Sequence, residues 1–107
     1  MYSVGDCCSP HANYSVFVSR SRSPVGPFTP DQHNPILMSN RHFWAVGHNS
    51  TIADAAGVQW IVYHARIRGD VTQDRYLMLD RIDWAAGWPV IDAGRGPSSS
   101  AEAPTVR

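Results

Sequence analysis

Apolar and polar positions alternate with a period of two along most of the chain, the pattern of half-buried β-strands rather than of helices. Residues 13–19 are rich in β-branched and aromatic side chains (Tyr14, Val16, Phe17, Val18) and predict a strand. Residues 23–28 follow as a turn, with Pro24 and Pro27 fixing φ and Gly26 relaxing it. Residues 35–38 are a short apolar run. Residues 49–54 predict a second strand, closed by a hairpin turn at Asp54, Ala55, Ala56 and Gly57. Residues 58–65 give the strongest strand pattern in the chain. Residues 75–84 predict a longer strand; Leu77, Met78, Arg81 and Ile82 also fall at helical spacing, but length and β-rich flanks favour the strand. Residues 88–91 are its partner, across a turn at Ala85, Ala86 and Gly87. Beyond Gly94 the chain is rich in Gly, Ser and Pro, and residues 98–107 read as a disordered tail. The fold class is therefore all-β, built of antiparallel hairpins. Sandwich, barrel and propeller all fit the strand spacing.

Composition narrows the chemistry. The 107 residues carry nine basic and nine acidic side chains, a net charge of zero, which argues against nucleic acid or an anionic membrane as partner. All nine bases are Arg, so lysine chemistry such as a Schiff base or a P-loop is excluded. Eight of the nine acids are Asp, and the one Glu, Glu102, lies in the expected tail. No core Glu is left to serve as a general acid. No apolar run approaches the roughly 18 residues of a membrane helix. Residues 1–6 lack the basic region and the apolar stretch of about 7 to 15 residues that make a signal peptide. Cys7 and Cys8 are adjacent. They fit a vicinal disulfide, two free thiols, or pairing with cysteines elsewhere, and they lack the spacing of a zinc site.

Four strings go beyond generic β sequence. They are Ser19-Arg20-Ser21-Arg22-Ser23-Pro24-Val25-Gly26-Pro27-Phe28, then Gly47-His48-Asn49-Ser50, then Trp60-Ile61-Val62-Tyr63-His64-Ala65, and last Leu79-Asp80-Arg81-Ile82-Asp83-Trp84 with Gly87-Trp88-Pro89-Val90. In this order and spacing they resemble the C-terminal part of glycoside hydrolase family 43, the arabinanases, arabinofuranosidases and xylosidases. One departure is Val46, which stands where the family pattern has Pro. The resemblance implies a five-bladed β-propeller, with this chain as its last one to two blades. Residues 1–28 would end the fourth blade and residues 29–97 would form the fifth blade region with the axis motif. It also implies a secreted parent that hydrolyses arabinan or related arabinose- or xylose-containing polysaccharide with inversion. Inversion needs two well-separated carboxyl groups. The family's catalytic Asp, Asp and Glu would lie upstream of Met1, so no catalytic residue is expected in this chain and the isolated fragment should be inactive. Exposed blade edges would favour its self-association. A non-catalytic carbohydrate-binding propeller fragment is the alternative, and a β domain with no sugar site a third reading.

The resemblance places His48 at the propeller axis beneath the sugar, where the family holds Ca²⁺ or another ion, so His48 is the metal candidate. A lone imidazole is a poor ligand set for a hard cation, and waters and other groups would have to complete the shell. Asn49 would orient His48 or a water. His64 sits in an apolar strand where a polar side chain needs a partner, and Arg75 could fork onto sugar hydroxyls. His11 and Trp44 are further substrate-binding candidates, His11 at the cleft edge and Trp44 as a stacking platform. Trp60, Trp84 and Trp88 are expected in the blade core. Of the eight Asp, Asp6, Asp54, Asp80 and Asp83 could be drafted as substitute acids, but each reads better as structural, Asp54 in a turn and Asp80 and Asp83 at strand edges. His33 and His42 read as solvated.

Overall fold

A computed structural model of the chain describes residues 1–99 and 102–107. Its centre is one antiparallel sheet of four strands in sequence order. These are β5 (Phe43–Ala53), β6 (Gln59–Ile67), β7 (Tyr76–Ala85) and β8 (Trp88–Ile91), after β1 (Tyr2–Val4), β2 (Ser15–Phe17), β3 (Ser19–Arg20) and β4 (Thr29–Pro30). β1 pairs with β2 and β3 with β4, each antiparallel, and β1 and β2 pack beside β5. The class is all-β, and the four-stranded meander has the form of one propeller blade. No helix among the described residues is long and apolar enough to cross a membrane.

The period-two pattern decides which side chains are buried. Ile61, Tyr63 and Ala65 of β6 face Asp80, Met78 and Tyr76 of β7, and this face packs on Val16, Leu37, Val46, Ile82 and Ile91. His64 and Arg66 alternate onto the opposite face. Turn chemistry joins the strands. Asp54 accepts hydrogen bonds from the Ala56 and Val58 amides, and Gly57 takes φ +81°. Ala86 (φ 51°) and Gly87 (φ 76°) form the two-residue link from β7 to β8, both in the left-handed region that matches sheet twist. Arg20 secures that link: it lies 4.0 Å from the Trp88 ring centre and donates to the Ala86 and Gly87 carbonyls.

Several sequence expectations need correction. β5 begins at Phe43, not 49, because two bulges between Trp44 and Ser50 break the alternation that marks a strand. Asp80 is not a strand-edge residue. It is 0% exposed and accepts hydrogen bonds from Tyr63 Oη (2.6 Å), Ser98 Oγ (2.7 Å) and the Ser98 amide (3.1 Å). Burial, and next the Asp80 carboxylate, push the Tyr63 hydroxyl far above its ordinary pKa, so it stays a donor. Trp60 is buried as expected, but Trp84 is 56% exposed, its indole donating to Gln59, and Trp88 is only half-buried under Arg20. The segment expected to be a free tail makes contacts where it is described. Ser98 binds Asp80, and the Thr105 amide donates to Asp54. Residues 100 and 101 of that segment lie outside the described residues.

Candidate functional site

The β5 bulges put two non-glycine residues in unusual backbone conformations. Ala45 (φ 52°) and His48 (φ 55°) both take left-handed conformations, which a residue with a Cβ adopts at a cost of roughly 1–2 kcal/mol. Gly47 between them has no room for a side chain, since a Cβ there would stand 2.3 Å from two Tyr14 ring carbons. Tyr14 fills that space and stacks on His64, ring centres 5.8 Å apart and planes 25° apart. His64 is the ladder partner of Gly47 and lies 6.2 Å from His48, ring centre to ring centre. The bulge is pinned from β1. The His48 amide donates to Ser3 Oγ (2.9 Å), and Ser3 Oγ donates to Asn49 Oδ1 (3.4 Å).

His48 is exposed and His64 half-buried. Burial first, then the nearby positive charges of Arg75, His48 and Arg66, hold the His64 imidazole below its ordinary pKa. Among the described residues its Nδ1 is buried without a hydrogen-bond partner, so His64 retains unused bonding capacity. Arg75 is exposed just before β7, on the side from which its charge reaches His64.

The structure thus brings together His48, His64 and Asn49 with Tyr14, and the charge of Arg75 acts on His64. Asn49 Oδ1 accepts from Ser3 Oγ, which ties the bulge to β1. His11 and Trp44 form a second group. They line an adjoining open groove with Ala12, Ile67 and Asp70. Arg66 links the two groups and was not singled out from the sequence. It is 7% exposed, donates to the Cys8 and Ser9 carbonyls (3.0 and 3.1 Å), and lies 4.9 Å from the Trp44 ring centre. The strand period was its one signal, since it shares a face with His64. Cys7 and Cys8 form a vicinal disulfide within the loop Arg66 holds.

Among the described residues no three His, Cys, Asp or Glu side chains cluster as a metal site. Two imidazoles near an arginine do not by themselves fit Ca²⁺, which takes six to eight oxygens. The carboxylates are mostly engaged. Asp6 accepts from the Cys8 and Ser9 amides, Asp54 from its turn and Trp60, and Asp83 pairs with Arg81. Asp31 accepts from His33, which is exposed, as is His42.

The sheet, the bulged His48 strand and the ordered motifs define a class. The glycosyl hydrolases family 43 model matches residues 1–89, and the chain belongs to that family. Among solved structures it is similar to the GH43 BlXynB protein from Bacillus licheniformis, with 30% identity and a TM-score of 0.78. A lysine-to-serine mutant of the same protein gives 32% identity and a TM-score of 0.77. Each match covers 88% of this chain and 20% of the other, so the chain spans about a fifth of the length of those structures. No curated protein matches it.

Proposed function

We propose that the chain is the closing part of an inverting glycoside hydrolase that cleaves arabinan or a related arabinose- or xylose-containing polymer. It supplies one wall of the sugar site, built from His48, His64 and Arg75. The observation that carries this is the His48 bulge, a strained histidine fixed by Gly47, Tyr14 and Ser3 within a chain of family 43. In the proposal His64, held largely neutral, and Arg75 donate hydrogen bonds to sugar hydroxyls, and His11 and Trp44 meet a neighbouring unit. The acid and base come from outside this chain, because most of its own carboxylates are occupied in turns, ion pairs and the core and its one Glu is an exposed residue near the end of the sequence. By itself the 107-residue chain releases no sugar. A polymeric substrate is met outside the cell, and a secreted parent is part of the proposal.

The alternative is a carbohydrate-binding part without chemistry, favoured by the same engaged carboxylates. Proton NMR of the full-length protein acting on debranched α-1,5-arabinan separates the two. The hydrolase reading predicts release of sugars whose first-formed anomer is inverted. Saturable binding with no release supports the alternative, and a retained anomer contradicts the mechanism.

A further inference from the structure

Arg66 is buried on the face of the sheet that carries His64, yet among the described residues no carboxylate lies within ion-pair distance of it. Its two terminal nitrogens donate to loop carbonyls and its guanidinium lies over an indole face, while its Nε is buried without a partner among the described residues. Burying a guanidinium on those terms is a poor way to gain stability, since an apolar side chain would pack there without the desolvation cost. The contacts point to a different task. The loop after β1 is organised within itself, with Asp6 accepting from the Cys8 and Ser9 amides and the Asp6 amide donating to Asn13. The Ser9 hydroxyl accepts from the His11 amide. Arg66 docks this preformed unit on the sheet by its two terminal nitrogens, while the same guanidinium covers the Trp44 ring. Trp44 and Arg66 are direct ladder partners, three β5 residues before the Gly47–His64 pair.

We propose that Arg66 is a positioning residue for substrate: it locks the disulfide-bearing loop against β5 and β6. It thereby sets the spacing of His11 and Trp44, which grip the sugar unit beside the His48–His64 pair. This rests on the glycosidase reading for its substrate and on the structure for the clamp. Lysine at 66 keeps the charge but cannot fork onto two carbonyls or stack flat on an indole.

The test uses Arg66→Lys and Arg66→Met in the full-length protein. Amide hydrogen exchange at Cys8, His11 and Ala12 is expected to rise roughly tenfold or more in both variants, with β6 and β7 amides unchanged. On α-1,5-linked arabinotriose and arabinohexaose, KM is expected to rise roughly fivefold or more with kcat within about twofold. Adding Arg66→Lys to a His11→Ala, Trp44→Ala double variant is expected to raise KM no further, because Arg66 acts on substrate through those two side chains. Unchanged loop exchange, or a rise spread evenly over the sheet, overturns the clamp. Changed loop exchange with unchanged KM overturns its role in substrate positioning. If the unmodified protein neither binds nor cleaves these oligosaccharides or the corresponding xylo-oligosaccharides, the glycosidase reading fails and the substrate role with it, while the exchange measurement still decides the clamp.

Discussion

His48 keeps its backbone at φ 55° only because neighbours on three sides leave it no alternative: Ser3 holds its amide, Tyr14 fills the space over Gly47, and the ladder resumes at Ser50. Gly47→Ala tests this directly. The new Cβ would collide with the Tyr14 ring, so the ring must leave His64, at a cost of roughly 1–3 kcal/mol. A thermal melt is expected to show that loss, and an unchanged melt would mean the ring is free to move. Asp80 is a stability residue of a different kind. Asp80→Ala strands the Tyr63 hydroxyl and both Ser98 donors, and denaturant unfolding is expected to show a loss of roughly 3–5 kcal/mol. Neither the Asp80 partners nor the Arg66 clamp was legible in the sequence, because each joins residues 17 to 58 positions apart. His48, His64 and Arg75 were legible as candidates, the first through its motif and the others as polar residues in an apolar strand pattern.

Strands with regular alternation could be read from the sequence to within a residue or two. The expected 58–65 and 75–84 became Gln59–Ile67 and Tyr76–Ala85, and both hairpin turns fell where their Asp and Gly residues put them. The first half of β5 escaped because bulges at Gly47 defeat a period-two count, and β3 and β4 because two residues make no pattern. The turns carry a pH dependence. At Asp54 partial burial opposes ionisation, but donors from Thr105, Trp60, Val58 and Ala56 outweigh it and lower the pKa. At Asp70 the Tyr76 hydroxyl and the Thr72 amide and hydroxyl lower it too. A carboxylate whose folded pKa is depressed stabilises above its unfolded value, near 4, and that contribution fades as pH falls through the folded value. The melting temperature is therefore expected to drop between about pH 5 and 3. Asp54→Asn should lower it at neutral pH and flatten the acid limb. An equally steep limb in that variant would assign the acid sensitivity elsewhere.

At the scale of the molecule, the four-stranded sheet is a unit made for neighbours. Leu77 is 82% exposed and Val71 94%, Ile52 and Trp84 are also exposed, and β8 ends the sheet with a free edge. We expect the isolated 107-residue chain to self-associate in light scattering; a monomer that melts cooperatively would contradict this. The class and the order of the sheet followed from alternation and turn chemistry, whereas the site depends on partners brought in from β1, β2 and the loop between them. The central claim is that the His48 bulge serves a sugar site rather than the fold. His48→Ala in the full-length protein tests it, with kcat on debranched arabinan and melting temperature measured on the same sample. A fall in kcat of about 100-fold or more is expected, with the melting temperature within about 2 °C of the parent. Unchanged turnover, or a turnover loss matched by a comparable loss of stability, would contradict it.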